Sequence, residues 1–407
     1  MFFNKEIAIM LLASTTILFA QNRPFPQAGK FETGGAVIKP SDRKQEQLNQ
    51  DVIHKFDNYK KNYLMSAADG KFYISAKGAG DGGDECVTQS EAHGYGMLIF
   101  ALMAGYDVDA KKIFDGMNAL RKSQHSNINP DLMSWIVNDA DVKDTTFESS
   151  ATDGDLDMAY ALLLAYKQWG DEAYLNDAKK LISAIKKSTM GAKSHRTLLG
   201  DWAENELDTR SSDWMAGHFR AFNKATGDKF WLEAADTVYA LLKQSANKET
   251  GLMADFVTGS PAHPDATGGG TTGEHHQDDY SYNACRTPWR IALDYAHHGT
   301  PAAKAQIDKI SAWLNAATGG KPKKIVAGYK LDGEVINYGD GDTWNDVVFT
   351  APFASAMIAN PANQNFLNAT YYNVRNMSTK GAYGAALQLL NMLFVTGNWW
   401  SPYGVEE

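Results

Sequence analysis

An all-α fold built from paired helices is expected for this chain of 407 residues, on three observations. Apolar residues recur at helical spacing in one segment after another, whereas alternating runs of β-branched residues are scarce. Very short turns such as 169–171 and 226–228 join consecutive segments, which makes neighbouring helices antiparallel. Long polar inserts alternate with these tight turns. We therefore predict a closed double ring of helices with its long loops on one face.

The apolar periodicity predicts about twelve helices. In chain order they span residues 44–64, 91–105, 108–122, 155–169, 171–187, 211–226, 228–244, 283–297, 301–318, 347–359, 362–376 and 381–396. The turn at Gly170-Asp171 is echoed at Gly227-Asp228, and a leucine and an alanine follow each turn at the same offsets. Repeated helix pairs either stack into an open solenoid or close into a ring.

Five long inserts favour the ring over the open solenoid. They are rich in Trp, Asp and Gly, and they span residues 65–90, 123–150, 188–210, 245–282 and 319–346. In a closed ring, alternation of long and short connections places every long loop on one rim, where a cleft can be built. An open solenoid needs no such one-sided elaboration.

Residues 1–20 are expected to be a secretory signal peptide, because Lys5 precedes an apolar run from Ile7 to Phe19. That run is shorter than the roughly 20 apolar residues needed to span a bilayer. Residues 21–407 are predicted to form a single domain, since no linker-like composition or charge run divides them. We expect a secreted monomer that binds no membrane.

The formal net charge of −9 argues against a nucleic-acid-binding surface, which would show a basic patch. An acidic surface suits a cationic glycan, but it is equally common in enzymes that act on neutral substrates. Cys86 and Cys285 are too few for a disulfide framework. A single bridge between them and two free thiols both remain open.

Three aspartates, Asp153, Asp155 and Asp157, stand at alternate positions where a long apolar helical pattern begins. Crowded like charges disfavour ionisation and folding, so the pattern indicates a functional use. The alternative is that these acidic residues only interact favourably with the positive N-terminal end of the helix dipole. That alternative is equally favoured for Asp155 and Asp157. Asp153 falls before the predicted helix and is the stronger candidate for a site.

The segment around these aspartates resembles the signature of glycoside hydrolase family 8. The matching positions are Ala151, Thr152, Asp153, Gly154, Asp155, Met158, Ala159, Ala161, Leu162, Leu163, Ala165 and Trp169. The resemblance extends from about Pro24 to Tyr403 and is closest to the branch with Bacillus-type chitosanases and related β-glucanases. It implies an (α/α)6 barrel of six inner and six outer helices, and an inverting endo-hydrolase of β-1,4-linked glycans.

Glycoside hydrolysis by inversion needs a protonated carboxyl group and a second carboxylate roughly 6.5–9.5 Å away that activates water. Tyr95 and Met97 would give Glu91 apolar surroundings that could raise its carboxyl pKa, but by itself Glu91 reads as an ordinary glutamate in the first turn of a helix. The family resemblance implies that it is the proton donor. Its segment, 90–97, resembles the acid motif of the family. The chain has Ala92-His93 where Bacillus-type chitosanases usually show Gly-Gln.

The base is harder to place from the sequence. The segment 280–290 is similar to the helix start where one branch of the family carries its aspartate base, but here that position is Asn283, which cannot accept a proton. In the branch with asparagine, the resemblance implies a glutamate in the preceding insert. Glu274 is the glutamate of that insert and is the predicted base, with Asp278 and Asp279 as alternatives.

The predicted substrate-binding residues are mostly aromatic, because indole and phenol rings stack on the apolar faces of sugars. Trp135 and Trp202 lie in long inserts and resemble the stacking tryptophans of the family. Arg210 and Asp213 could bind sugar hydroxyls or form a structural ion pair. The remaining predicted binding residues are Tyr282, Asn283 and Phe349.

Together with these residues, the family resemblance implies a secreted endo-acting glycosidase that cleaves a β-1,4-glucan of the cellulose or mixed-linkage type. Chitosan is the alternative substrate, and a non-catalytic glycan-binding helical protein is the second alternative. No cofactor is expected. A metal site within 274–279 is disfavoured, because adjacent histidines do not share a helix face and no spaced ligand set occurs.

Overall fold

The computed structural model of the protein describes residues 21–30, 33–76, 86–142, 149–270, 276–339 and 343–404. Twelve α-helices, numbered α1 to α12 in chain order, occupy most of these ranges. They span Gln45–Tyr63, Ser90–Met103, Ala110–Ser123, Thr152–Trp169, Glu172–Ser188, Ala216–Thr226, Phe230–Ser245, Thr287–His298, Pro301–Thr318, Val347–Ala356, Gln364–Asn376 and Gly381–Val395.

The even-numbered helices form a closed inner ring. Each contacts the next in the order α2, α4, α6, α8, α10 and α12, and α12 returns to α2. The odd-numbered helices lie outside: α3, α5, α7, α9 and α11 each pack against the inner helix that precedes them in the chain, and α1 packs against α12. The fold is therefore an (α/α)6 barrel, as predicted.

Sequence composition explains which helices lie inside. Every described side chain of α10 is buried, and so is almost all of α2 and α12, because these segments are apolar on every side. Helices such as α3 and α5 bury only one stripe and expose lysines on the other. Gly170 and Gly227 end inner helices in the left-handed conformation that the tight turns require.

Short antiparallel β pairings decorate the connections between helices. Strands β1 to β7 span Leu64–Ser66, Phe72–Ile74, Thr88–Gln89, Ile136–Val137, Thr209–Arg210, Phe256–Thr258 and His263–Pro264. β1 pairs with β2, β3 with β4, and β6 lies between β5 and β7. The β3–β4 pairing ties the insert before α4 to the residues that lead into α2.

The twelve predicted helices are confirmed, and the main differences lie at their starts. The region predicted to begin at 211 opens with a 3₁₀ turn, Ser211–Asp213, and α6 begins only at Ala216. α4 begins at Thr152, so Asp153 lies in its first turn and not before the helix.

Two further predictions are addressed by the fold. Cys86 and Cys285 are both buried free thiols, which decides against the bridge that the sequence left open. Among the helices of the described ranges, none combines the length and the apolar character that crossing a membrane demands.

Candidate active site

Two glycines bring the starts of α2 and α4 into close contact. A Cβ atom on Gly154 would lie only 2.5 Å from the backbone of Ser90, and one on Gly94 would lie 3.0 Å from Asp157. Any larger residue at either position would push the two helices apart. Because of this close approach, Glu91 on α2 and Asp153 on α4 point into one buried cluster.

Arg286 joins these two carboxyl groups. Its Nη1 donates to Glu91 Oε1 and, over 2.8 Å, to Asp153 Oδ2. Arg286 ends a 3₁₀ turn, Ala284–Arg286, that runs directly into α8. We call Glu91, Asp153 and Arg286 the site layer. Glu91 keeps 23% of its side-chain exposure and is the member open to the rim, whereas Asp153 keeps 4%.

The two carboxyl groups of the site layer differ in pKa. Burial raises the pKa of Glu91 above its ordinary value, although Arg286 opposes this shift. Burial also acts to raise the pKa of Asp153, but Arg286 and Arg210 outweigh it, so that pKa lies below its ordinary value. Glu91 is therefore suited to carry a proton while Asp153 stays charged.

Tyr95 supplies the hydrogen bond that positions Glu91. Its hydroxyl donates to Glu91 Oε1 over 3.0 Å, one helical turn along α2. His93, at the position where the sequence departs from the Bacillus-type pattern, lies 2.9 Å through Nε2 from the carbonyl oxygen of Met117 and faces α3. Burial lowers the pKa of His93 to about 4, so the ring is neutral near neutral pH.

Asn283 lies beside the site layer and is held by a buried carboxylate that sequence reasoning missed. Its side-chain oxygen accepts from Arg286 Nη2 over 2.8 Å. Asp255 accepts from the backbone N–H groups of Ser281, Asn283 and Ala284 over 2.9, 3.0 and 2.6 Å. Asp255 thus fixes the turn that carries Asn283 and Arg286. No sequence pattern indicated this role of Asp255, because it lies in a loop 28 residues before Asn283.

Arg210 and Asp213 reach the same cluster from the segment before α6. Arg210 Nη1 lies 3.8 Å from Asp153 Oδ2. Asp213 is fully buried, and its Oδ1 accepts from the Ser212 hydroxyl over 2.9 Å. Its Oδ2 has no hydrogen-bond partner within the described ranges. Burial raises the pKa of Asp213 to about 7 against the opposing charge of Arg210.

Asp155 and Asp157 have partners outside the site layer. Asp155 Oδ1 accepts from the backbone N–H of Met133 over 3.0 Å, which anchors the insert that carries Trp135. Burial raises the pKa of Asp155 well above its ordinary value. Asp157 forms an ion pair with Arg290. Both aspartates therefore make specific contacts in addition to any interaction with the helix dipole.

One wall of the cleft carries the two predicted stacking tryptophans. The backbone oxygen of Trp135 accepts from the N–H of Ser90 over 3.0 Å, which places this loop next to Glu91. Trp202 is 41% exposed, and Asp201 beside it accepts from the N–H of Ser150 over 2.8 Å. Both indoles therefore flank the starts of α2 and α4.

A second aromatic group lies around Tyr282, next to Asn283 in the chain. Tyr282 is 36% exposed and donates through its hydroxyl to Asp346 over 3.2 Å. Phe349 is fully buried with its ring 5.1 Å from that of Tyr282, so it supports this ring and has no exposed face of its own. Sequence reasoning missed Trp344, which is 43% exposed and hydrogen-bonded to Asp346. The signal that could have found it is its place in a long Trp-containing insert.

The predicted base, Glu274, lies outside the described residues. Of its alternatives, Asp278 is exposed, and Asp279 lies 3.1 Å from Nδ1 of His276. In the described ranges, no group of three or more His, Cys, Asp or Glu side chains is arranged to hold a metal ion. The described part of the site brings together carboxyl, guanidinium, amide and aromatic groups.

The comparisons with known proteins agree with this geometry. The family model of the glycosyl hydrolases family 8 matches residues 44–397. An endoglucanase of Bacillus sp. (strain KSM-330) is 40% identical over 396 residues, which cover 95% of this chain and 83% of that protein. A beta-glucanase of Niallia circulans is 37% identical over 409 residues, covering 97% of this chain and 95% of that protein.

Solved structures give the same result. The apo structure of a β-1,3-1,4-glucanase from Paenibacillus sp. X4 superposes with a TM-score of 0.87 at 37% identity, covering 94% of this chain and 100% of that one. A reducing-end-xylose releasing exo-oligoxylanase, at 20% identity and a TM-score of 0.72, shares the fold. By its match over most of its length and by these identities, the chain is a glycoside hydrolase that belongs to the glycosyl hydrolases family 8.

Proposed function

We propose that this glycoside hydrolase cleaves internal β-1,4 bonds of a neutral glucan, of the cellulose type or of mixed linkage, with inversion at the anomeric carbon. The observation that carries the proposal is the site layer, in which two carboxyl groups with opposite pKa shifts share Arg286 at the rim of the barrel. Glycoside hydrolysis needs one carboxyl group that carries a proton and others that stay charged.

In this mechanism Glu91 donates its proton to the leaving glycosidic oxygen as the bond to the anomeric carbon breaks. Burial raises the pKa of Glu91, which favours its protonated form, and its 23% side-chain exposure opens it to the cleft. Asp153 stays charged and holds the sugar in a distorted shape that favours positive charge at the anomeric carbon. It forms no bond to the sugar.

The nucleophile is a water molecule whose proton passes to a base as its oxygen attacks the anomeric carbon. Glu274 is our proposal for that base. A variant Glu274→Ala should lose hydrolysis, and added azide should restore part of it by replacing water as the nucleophile. Should Glu274→Ala remain active while Asp278→Ala or Asp279→Ala is inactive, the base is one of those aspartates.

A neutral glucan is favoured over chitosan by four of the five acidic side chains near the tryptophans, the fifth being the exposed Glu204. Recognition of an amino sugar requires carboxylates that are free to pair with each ammonium group. Asp131 is paired with Lys180, and Asp139 accepts from the N–H groups of its own turn. Asp201 and Glu206 likewise accept hydrogen bonds from neighbouring loops.

The names of the two sequence relatives, an endoglucanase and a beta-glucanase, favour the same substrate class. The test compares the purified protein on barley β-glucan, carboxymethyl cellulose and chitosan. We expect reducing ends from the first two, with solution viscosity falling early because cleavage is internal. A higher activity on fully deacetylated chitosan that falls steeply with salt would instead establish a chitosanase.

The stereochemistry has its own readout. Proton NMR during early hydrolysis should show the α-anomer first, since inversion makes no glycosyl-enzyme bond. If the β-anomer appears first, the enzyme retains configuration and Asp153 or another carboxylate acts as a nucleophile.

We further propose that residues 1–20 direct export and that the mature protein, 21–407, is a single-domain monomer. The support is the apolar run behind Lys5. Mass measurement of the protein recovered from the culture medium should give a chain that begins near Gln21. Light scattering on the same sample should give the mass of one chain.

A further inference from the structure

A second layer of acid and base lies one helical turn below the site layer. Asp157 follows Asp153 by four residues on α4, and Arg290 follows Arg286 by four residues at the start of α8. Side chains four residues apart lie one above the other on a helix face, about 5–6 Å apart. The two ion pairs are therefore stacked between the same two inner helices. We call Asp157, His218 and Arg290 the support layer.

The support layer is closely connected. Arg290 donates to both oxygens of Asp157, over 2.7 and 2.6 Å, in a two-pronged pair. His218 on α6 lies 3.0 Å through Nε2 from Asp157 Oδ1 and stacks on the ring of Tyr160 with the centroids 4.0 Å apart. Side-chain exposures are 1% for Asp157 and Arg290 and 3% for His218.

The charges in this layer are settled by burial and pairing. Burial lowers the pKa of His218, so the ring is neutral and donates to Asp157. Burial acts to raise the pKa of Asp157, but Arg290 and the bond from His218 outweigh it, and the net pKa is lowered. Asp157 is thus an anion whose position is fixed from α6 and α8 at once.

Two physical routes connect this layer to Glu91. The guanidinium of Arg290 lies 5.8 Å from the ring centroid of Tyr95, whose hydroxyl donates to Glu91. The other route is α8 itself, because Arg290 sets the position of the turn of helix that carries Arg286. Both hydrogen-bond donors to Glu91 thus depend on where Arg290 lies. The titratable and charged groups around the support layer are Tyr95 on α2, Asp153 and Tyr160 on α4, Arg286 before α8 and His297 on α8. Those around Glu91 are Arg286, Asp153, Tyr95, Arg210 and Tyr383.

We propose that Asp157, His218 and Arg290 are positioning residues for the reaction: the support layer fixes Tyr95 and Arg286, and through them the carboxyl group of Glu91. This inference rests on the proposed role of Glu91 as proton donor. A purely structural ion pair would lower stability and leave the chemistry of the folded enzyme unchanged. Positioning predicts a change in the chemical step and in its pH dependence.

The chain offers a control in another ion pair of α8, which joins this helix to α6. Arg220 on α6 donates through Nε to Asp294 on α8 over 2.9 Å, and Asp294 is fully buried. Asp294 follows Arg290 by four residues, so this pair lies one more turn away from the cleft. Arg220→Lys makes the same substitution in an ion pair between α6 and α8 that includes no residue of either layer.

The test measures kcat, KM and the pH profile on barley β-glucan, well below each variant's melting temperature. Arg290→Lys should lower kcat about 10–100-fold, as expected when a positioning contact is lost, with KM within about threefold. The alkaline limb of kcat should move to higher pH, because Tyr95 and Arg286 both lower the pKa of Glu91 and a general acid is lost as pH rises through its pKa. Tyr95→Phe should move that limb in the same direction.

A second pair of variants covers the case in which Arg290→Lys does not fold. His218→Gln keeps an N–H donor for Asp157 and should retain kcat and the pH profile, whereas His218→Leu should lower kcat and move the alkaline limb. Arg220→Lys should lose stability but keep both. The proposal is overturned if Arg290→Lys or His218→Leu loses only stability and keeps the wild-type kcat or the wild-type alkaline limb. Full activity of Glu91→Gln would instead refute the proposed function, whatever these variants show.

Discussion

In the site layer two carboxyl groups share one arginine, whereas in the support layer Asp157 has both prongs of Arg290. Glu91 keeps 23% exposure, while Asp157 and Arg290 keep 1% each. Each layer pairs a buried aspartate of α4 with an arginine, and the layers lie one helical turn apart. The site layer adds Glu91 to this pair, and the support layer adds His218. The layers differ in the number of carboxyl groups per arginine, two in the site layer and one in the support layer, and in their exposure to the cleft.

That difference explains how one barrel can hold both a scaffold and a reactive group. Where each charge has a full partner, protonation is fixed and the pair serves to join helices. In the site layer two carboxyl groups share the guanidinium of Arg286. Asp153 also lies near Arg210 and has a lowered pKa, whereas burial outweighs the nearby positive charge at Glu91 and raises its pKa. Incomplete pairing is thus what the proposed chemistry requires.

The largest effect is expected from the exposed acid of the site layer. Glu91→Gln keeps an oxygen that can accept from Tyr95 but supplies no acidic proton, so kcat should fall about 10²–10⁴-fold. The folded state should be retained, because the amide is close in shape to the carboxyl group. The measurement is kcat on β-glucan together with the melting temperature. Turnover within tenfold of wild type would remove Glu91 from the role of acid.

A comparable effect, but on stability, is expected from the support layer. Asp157→Asn leaves Arg290 buried without its anion, and breaking one side of a buried pair costs about 3–5 kcal/mol. Asp153→Asn should cost less, since Arg286 still has Glu91, yet it should lose activity. Urea unfolding of both variants gives the comparison. Equal losses of unfolding free energy would mean that the two layers do not differ as scaffolds.

The acid of each ion pair is easier to predict from the sequence than its arginine. The aspartates stand at alternate positions in a signature, and their crowding alone marks them as unusual. Arg286 and Arg290 each lie 133 residues further along the chain, so no local pattern assigns them to Asp153 and Asp157. Their pairing depends on the closure of the ring, in which α4 and α8 lie on either side of α6.

The helices were predictable for a simpler reason. Apolar residues on every side of α2, α10 and α12, and on one stripe of α3 and α5, record which helix is inner and which is outer. The rim was less predictable, because loop contacts follow no period. Trp344 and Asp255 were missed for that reason, and Phe349 was predicted at the cleft although its ring lies beneath Tyr282.

An intermediate effect is expected at Asp213, which belongs to neither pair. Its pKa rises from about 4 in the unfolded chain to about 7 in the fold, so its ionisation destabilises the fold as pH rises through that window. Asn cannot ionise. Asp213→Asn should therefore melt a few degrees above wild type at pH 8, and this advantage should shrink towards pH 4. If the difference in melting temperature between Asp213→Asn and wild type does not change between pH 4 and pH 8, Asp213 does not titrate in this range in the fold.

The smallest effect is expected at the two aromatic groups, where exposure again separates binding from support. Trp202 is 41% exposed, so Trp202→Ala should remove a stacking surface worth about 0.5–1.5 kcal/mol. That corresponds to a rise in KM of up to about tenfold on long glucans, with little change in melting temperature. Phe349 is fully buried, so Phe349→Leu should lower the melting temperature through lost packing and leave KM near wild type unless Tyr282 moves. The test measures KM and the melting temperature of both variants. A Phe349→Leu enzyme with the wild-type melting temperature and a raised KM would place this ring among the binding residues, as the sequence predicts.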